Sequence, residues 1–203
     1  MMIRILFVTF FVGIFVFILE LYANLLSHSF NKIRVVFLKN GGQNCITELK
    51  KYSNDFKSLG TFSKKQCKVI NAVKINSYKG TKLSGKLTLS CPTAVNVGKY
   101  FREIKAKNIV HMGSYNCRTI ARSKIYSEHS YGTAIDIAAI DGAVLKKDWN
   151  NKTDKGRLLN NAYRVACKYF SNVLTPDTNL AHKNHFHFDN GFGPSCYLKW
   201  IKK

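Results

Sequence analysis

Six cysteines, spread along most of the chain, restrict what this sequence can fold into more than any other feature. All of them follow an apolar stretch near the amino terminus, and no two form a C-x-x-C pair. Structural zinc sites built from cysteine need closely spaced pairs, so we expect three disulfides formed in an oxidising compartment. The pairing stays open from sequence alone. The six are Cys45, Cys67, Cys91, Cys117, Cys167 and Cys196.

The apolar stretch covers residues 5–19 and carries no charge. It is shorter than the roughly 20 residues that span a bilayer comfortably and is close to the apolar region of a signal peptide. If its helix continues past Glu20 to Leu26, it is instead an uncleaved anchor. We therefore divide the chain into a signal peptide or membrane anchor at 1–26, a linker at 27–42 and one domain at 43–203.

The balance of charge favours an anionic partner without identifying it. The 203 residues include 32 Lys and Arg against 11 Asp and Glu, a formal net charge of +21. Long-range attraction would draw such a chain to nucleic acid, anionic lipid or an acidic envelope polymer. Because carboxylates are scarce, one within an apolar motif has a raised chance of a specific role.

The spacing of apolar residues predicts an α+β fold, with a small, mostly antiparallel sheet flanked by helices. Helices are predicted over residues 46–59, ended by Gly60, from Pro92 to about Lys107, and over residues 153–174, closed by Pro176. Short strands are predicted over residues 68–75, 86–90 and 108–112.

Four of the six histidines lie in two compact segments. Alternation of His and Phe from position 185 to 188 predicts a strand with His185 and His187 on one face and the phenyl rings toward the core. Residues 133–139 predict another strand, which carries Asp136, and His129 lies in the turn before it. An unpaired carboxylate among apolar neighbours would be costly, which favours a metal or a cationic partner for Asp136.

Two imidazoles and one carboxylate from separate segments form the three-ligand set of a catalytic zinc site, with a fourth position for water. A bound zinc lowers the pKa of its water toward ~7 and polarises a carbonyl. The further imidazoles in the segment from His182 to His187 could move a proton or donate to an oxyanion. The residues alone therefore predict metal-assisted hydrolysis.

The motif Ser-x-His-x-x-Gly-x-Ala-x-Asp, from Ser127 to Asp136, with a downstream His-x-His, resembles the zinc-peptidase superfamily of lysostaphin, the D-Ala-D-Ala metallopeptidases and the hedgehog signalling domain. More narrowly, five features resemble the bacterial extensin-like protein carboxy-terminal domain over about residues 45–196. They are Tyr115-x-Cys117-Arg118, Ser127-Glu128-His129, Ala134-Ile135-Asp136-Ile137, Ala-Cys at 166–167 and His-Phe-His-Phe-Asp at 185–189. This resemblance implies a zinc cleft on the sheet.

Carried over by position, the resemblance makes His129, Asp136 and His187 the ligands of one zinc ion. It places His185 beside the metal as catalytic base or transition-state stabiliser, with His182 as a second catalytic imidazole. His182 stands where the D-Ala-D-Ala dipeptidase branch has Glu, so this chain looks more like the murein endopeptidase branch.

Three further side chains have two interpretations each. Arg118 is expected to hold a substrate carboxylate in a bidentate contact, with a structural salt bridge as the alternative. Ser127 is expected to contact substrate, or else to hydrogen-bond the metal-site loop. Asp189 lies on the histidine face, where it could orient an imidazole or simply be solvated.

The resemblance implies a zinc-dependent peptidase that hydrolyses an amide bond in peptidoglycan stem peptides or cross-links, either as a murein endopeptidase or in a D,D-carboxypeptidase-like way. We expect an exported monomer, periplasmic or held at the inner membrane by its amino-terminal helix, whose partners are peptidoglycan peptides and an anionic envelope surface. A non-catalytic zinc-containing domain that binds cell wall or protein is the alternative. Nucleic acid is not expected as a partner, because export and oxidised cysteines count against a nuclease.

Overall fold

The computed structural model describes residues 42–191, which belong to one compact unit of the chain. The apolar stretch at 5–19, almost all of the predicted linker and Cys196 lie outside the described residues. Within residues 42–191 no helix is long and apolar enough to cross a membrane.

Runs of strands are separated by single helices or pairs of helices along the chain, an order that fits the predicted α+β class. The helices are α1 (Gly42–Leu49), α2 (Cys91–Glu103), α3 (Leu145–Asp148) and α4 (Asp154–Ala166), with 3-10 turns at Glu128–Tyr131 and Leu180–His182. The strands are β1 (Asp55–Lys64), β2 (Cys67–Ser77), β3 (Lys82–Leu83), β4 (Leu87–Ser90), β5 (Asn108–Gly113), β6 (Ala134–Ile140), β7 (Ala143–Val144), β8 (Asn172–Leu174) and β9 (Phe186–Asp189).

The strands form two sheets rather than the one small sheet that we predicted. The first sheet has the order β1-β2-β4 and is antiparallel throughout. The second has the order β3-β5-β6-β9-β8, with β7 paired to β6. Among the strand pairs of residues 42–191 only β3–β5 is parallel, so the prediction of mostly antiparallel pairing is confirmed.

The core lies against one face of the second sheet. Phe186 and Phe188 of β9 are fully buried, and their rings stack with centroids 5.4 Å apart. Tyr100 of α2 meets the Phe188 ring edge-on at 5.4 Å. Ile135 and Ile137 of β6 are also fully buried. Since side chains alternate along a strand, the intervening residues of β6 and β9 occupy the opposite face.

Two disulfides tie separate elements together, and the predicted disulfide framework is confirmed to that extent. Cys45–Cys91 joins α1 to the first residue of α2. Cys67–Cys117 joins the first residue of β2 to the segment that follows β5. Cys167, at the end of α4, is disulfide-bonded as well.

Three predicted helices were too long. The first ends at Leu49, and Phe56 and Leu59 lie in β1. The chain turns there because the Ser53 hydroxyl accepts a hydrogen bond from the Asp55 amide at 3.1 Å and donates one to the Ser77 carbonyl at 2.7 Å.

The helix predicted over residues 153–174 ends at Ala166, and its last three residues form β8 instead. They pair with β9, so a tertiary contact overrides the apolar periodicity. The helix that starts near Pro92 likewise ends at Glu103, before the predicted limit.

Candidate metal centre

The face of the second sheet opposite the phenylalanine core carries the chemically active side chains. In the register of β6 and β9, Asp136 lies opposite His187 and Ala134 lies opposite Asp189. His185 immediately precedes β9 and falls on the same side by alternation. The sheet therefore presents Asp136, His187, His185 and Asp189 together, on the side away from the stacked phenylalanines.

The 3-10 turn Glu128–Tyr131 brings His129 to this face. It begins at Ser127, whose hydroxyl accepts from the His129 amide at 3.4 Å, and ends at Gly132 with φ 65°. A Cβ at Gly132 would lie 2.8 Å from Val69 Cγ1 and 3.0 Å from the Ser90 nitrogen. Only glycine therefore allows this turn to approach the first sheet so closely.

The three predicted zinc ligands come together. Asp136 Oδ2 lies 3.1 Å from His129 Nε2, and Asp136 Oδ1 lies 2.8 Å from His187 Nδ1. The two imidazole nitrogens are 3.2 Å apart. One potential ligand atom from each residue lies within 4.8 Å of the others, and the side chains are largely buried. Within residues 42–191 these three side chains form the one group of His, Cys, Asp or Glu that could hold a metal ion.

The far nitrogen of each imidazole is bound to a group that can only accept. His129 Nδ1 makes a short hydrogen bond to the Ser114 carbonyl, so Nδ1 carries the hydrogen. His187 Nε2 lies 2.9 Å from Asp189 Oδ2, so Nε2 carries the hydrogen. In their neutral forms both rings therefore direct an unprotonated nitrogen at Asp136. Three electron-pair donors within 3.2 Å of one another need a positive charge between them, either a proton or a metal ion.

The electrostatics of the cluster favour such a charge. Burial acts to raise the pKa of Asp136, but the hydrogen bonds and charges of His129 and His187 outweigh it and hold that pKa well below its usual value. Burial acts to lower the pKa of His187, but hydrogen bonds to Asp136 and Asp189 raise it to about 9. Without a metal, a proton on His187 supplies the positive charge at neutral pH.

His185 lies beside this cluster and outside hydrogen-bonding distance. Its Nε2 is 3.7 Å from Asp136 Oδ1, and its Nδ1 is 2.9 Å from Asn184 Oδ1. Burial lowers the pKa of His185, with the neighbouring His187 acting in the same direction. A neutral His185 that donates from Nδ1 keeps Nε2 as a proton acceptor at the edge of the cluster.

His182 lies farther out, with its ring centroid 5.2 Å from that of His185 and 5.5 Å from that of His187. Its Nδ1 is 2.8 Å from Asn179 Oδ1, which also accepts from the Ala181 amide at 3.0 Å. Burial, with the charges of His187 and His185, lowers the pKa of His182 to about 4. Both predicted catalytic histidines are thus near the cluster and neutral at pH 7.

The structure does not bring the two predicted substrate-binding residues into the cluster. Ser127 is buried and caps the turn, in keeping with the alternative that it hydrogen-bonds the metal-site loop. Arg118 is exposed, and its guanidinium donates to the Thr119 carbonyl at 3.4 Å. No carboxylate of residues 42–191 pairs with it, so the alternative interpretation, a structural salt bridge, is absent from this part of the chain.

Three supporting groups had no signal in the sequence. Ser114 contributes a backbone carbonyl, which any residue could supply. Asn172 donates to Asp189 Oδ1 at 2.8 Å but lay within the predicted long helix. The Gly191 amide donates to the same oxygen at 2.7 Å. Of the two interpretations of Asp189, the structure shows the one in which it orients an imidazole.

Comparison with known proteins gives a single kind of match. A family model described as Extensin-like protein C-terminus matches residues 43–196. The matched residues include both histidine segments and all six cysteines. No curated protein and no solved structure gives a match.

Proposed function

The chain belongs to the family described as Extensin-like protein C-terminus, and from that premise we propose that it is a zinc-dependent peptidase acting on the stem peptides or cross-links of peptidoglycan. The observation that carries the proposal is the convergence of His129 Nε2, His187 Nδ1 and Asp136 on one point, with both imidazole tautomers set by acceptors behind them. We further infer that the chain belongs with the zinc peptidases of the lysostaphin and D-Ala-D-Ala metallopeptidase superfamily.

The donor set fits zinc. Zinc accepts neutral imidazole nitrogen and carboxylate oxygen, and three protein ligands leave a position for water or substrate. When bound, it would lower the pKa of a water molecule and polarise an amide carbonyl. Imidazole ligands that donate their other hydrogen to a carbonyl or carboxylate are common around such metals, and both of these do so.

The remaining histidines supply proton transfer. His185 Nε2, unprotonated and 3.7 Å from Asp136, is placed to accept the proton of an attacking water and to return it to the leaving amine. His182 donates its Nδ1 hydrogen to Asn179, so the nitrogen that it presents is an acceptor too. We therefore assign His182 to proton relay and not to donation toward an oxyanion.

The substrate class follows from charge and compartment. Disulfides persist in oxidising compartments, so we propose that the domain works in the periplasm. We propose that it acts there as a monomer, either released by cleavage of its amino-terminal segment or anchored to the membrane by it. Peptidoglycan stem peptides carry carboxylates, which a chain of net charge +21 attracts. Arg118, exposed and without a carboxylate partner in residues 42–191, is the group that we propose for binding one of them.

The test measures zinc content and peptide release together. Full-length wild type, His187→Ala, Asp136→Ala and His111→Ala are purified, assayed for zinc by elemental analysis and incubated with purified peptidoglycan, and released peptides are identified by mass spectrometry. His111 is the matched control, because its Nε2 bonds the Gly85 carbonyl and it lies outside the cluster.

We expect about one zinc per chain and peptide release for wild type and His111→Ala, and neither for the two cluster variants. Full activity of metal-free His187→Ala would refute the mechanism. Zinc retention without peptide release would support the non-catalytic binding domain instead.

A further inference from the structure

Asp189 is a buried carboxylate whose two oxygens have different partners. Its side chain is 6% exposed, and it lies two residues after His187 on β9. Oδ2 accepts from His187 Nε2 at 2.9 Å. Oδ1 accepts from Asn172 Nδ2 at 2.8 Å and from the Gly191 amide at 2.7 Å. These two donors prevent the carboxylate from rotating and hold Oδ2 against the imidazole.

From this geometry we propose that Asp189 and Asn172 are positioning residues that fix the tautomer of His187. A carboxylate oxygen only accepts, so the His187 ring must carry its hydrogen on Nε2 and present Nδ1 to Asp136. Asn172, on the neighbouring strand β8, keeps the accepting oxygen in place. The consequence for zinc binding rests on the proposed function, whereas the tautomer itself does not depend on any metal.

The isosteric change Asp189→Asn has an unusual predicted outcome. Asn172 Nδ2 and the Gly191 amide both require an acceptor at the position of Oδ1. The new amide satisfies them by placing its oxygen there, which turns its NH₂ group toward His187 Nε2. The ring must then accept at Nε2 and carry its hydrogen on Nδ1, where that hydrogen points at Asp136 and blocks a metal ion.

Asp189→Ala removes the acceptor without adding a donor, so it leaves the tautomer unfixed rather than reversed. Zinc affinity should therefore follow the order wild type, Asp189→Ala, Asp189→Asn. Loss of an outer hydrogen-bond partner typically reduces metal affinity by 10–100-fold, and we expect Asp189→Ala near the low end and Asp189→Asn near the high end. A merely structural role would give the opposite order, because asparagine preserves the shape of the side chain.

The first measurement is Zn²⁺ affinity, by competition with a chelating dye, for full-length wild type and the variants Asp189→Asn, Asp189→Ala and Asn172→Ala. Asn160→Ala is the matched control, because it also loses one partly buried amide hydrogen bond, to the Gly156 carbonyl on α4. We expect unchanged affinity for Asn160→Ala and a smaller loss for Asn172→Ala than for Asp189→Asn. Asp189→Asn binding zinc as tightly as wild type would overturn the proposal.

The second measurement reads the tautomer directly from the His187 ring nitrogens by NMR, in metal-free protein at a pH well above the His187 pKa of about 9, where the ring is neutral. We expect hydrogen on Nε2 in wild type, on Nδ1 in Asp189→Asn, and a mixture in Asn172→Ala. If wild type binds no zinc but shows these tautomers, the proposed function fails and the positioning roles stand. If the tautomer is the same in all three proteins, the proposed positioning roles are refuted. Should Asp189→Asn fail to fold, the comparison of Asn172→Ala with wild type still tests the proposal.

Discussion

At the scale of single residues, a proton and a metal ion compete for the same three atoms of the cluster. His187 is positively charged in the metal-free protein at neutral pH, since Asp136 and Asp189 raise its pKa to about 9. A zinc ion must displace that proton, because His187 Nδ1 can bind only one of the two. Zinc affinity should therefore rise with pH up to about 9.

The first prediction concerns the stability of the metal-free protein. The pKa of His187 is about 9 when folded against a reference value of 6.5, so its stabilisation is complete below pH 6.5 and is lost as pH rises through about 9. Asp136 has a lowered pKa when folded, so its contribution is present above 3.8 and is lost only in stronger acid. Urea unfolding of metal-free wild type should show a falling midpoint between pH 6.5 and 9.

His187→Gln, which does not titrate, should lack most of that fall, whereas His111→Ala should keep it. An equal pH dependence in wild type and His187→Gln would contradict the assignment of the charge to His187.

The second prediction separates proton transfer from metal binding. His185→Ala should retain zinc, because Nε2 of His185 lies outside bonding distance of Asp136, yet lose turnover by roughly 10²–10⁴-fold, the usual contribution of a general base. Peptide release and zinc content measured on the same preparation check this. A variant that loses its zinc would show that His185 is a ligand, and one that keeps full turnover would show that it is not the base.

At the scale of secondary-structure elements, the strands that carry the site were predictable and its supports were not. The alternation of His and Phe, and the apolar neighbours of Asp136, predicted β9 and β6 because successive side chains of a strand point to opposite faces. Those strands and the turn at Gly132 placed the candidate side chains near one another, and the choice of His129, Asp136 and His187 among them came from the family resemblance. Asn172 was missed because the apolar spacing of α4 continues beyond Ala166, and only pairing with β9 shows that the chain is extended there.

The third prediction concerns the turn that carries His129. Gly132 and Gly142 both have positive φ, 65° and 80°, but only Gly132 is enclosed, since a Cβ at Gly142 would meet nothing within 4 Å. Gly142→Ala should cost about 1 kcal/mol in unfolding free energy, from backbone strain alone. Gly132→Ala adds a clash with Val69 and should cost roughly 2–4 kcal/mol.

Gly132→Ala should also weaken zinc binding, because relief of the clash moves the turn and His129 with it. Thermal unfolding and dye competition on the two variants provide the check. Equal losses from both would mean that the contact with Val69 has no effect.

At the scale of the whole molecule, the two disulfides that have both cysteines within residues 42–191 have different relations to the site. They join residues 46 and 50 positions apart, so they restrict the unfolded chain to a similar degree. Cys117 lies between Asn116, whose amide donates to the His129 carbonyl at 3.1 Å, and Arg118, whose amide donates to the Ser130 hydroxyl at 3.0 Å. Cys45–Cys91 connects two helices instead.

The fourth prediction uses that contrast. Removal of either bridge should lower the unfolding free energy by roughly 2–4 kcal/mol. The two double variants are Cys67→Ser with Cys117→Ser, and Cys45→Ser with Cys91→Ser. Loss of the Cys67–Cys117 bridge should lower zinc affinity more, because residues on both sides of Cys117 bond the turn that carries His129, whereas Cys91 is linked to that turn by the bond of the Ser90 amide to the Gly132 carbonyl at 2.8 Å. Chemical denaturation and dye competition measure the two effects. Equal zinc affinity in both variants would show that the turn is held without the bridge.

The four residues of β9 couple the position of the site to the packing of the core. Phe186 and Phe188 fill the core, while His187 and Asp189 occupy the other face. A strand that slipped by one residue would place both phenyl rings among the polar groups of the cluster and put an imidazole and a carboxylate into the apolar core without partners, a double penalty of several kcal/mol. Conformations with a shifted β9 register are therefore too unstable to be populated. A chain that has formed its core has also aligned the candidate ligands.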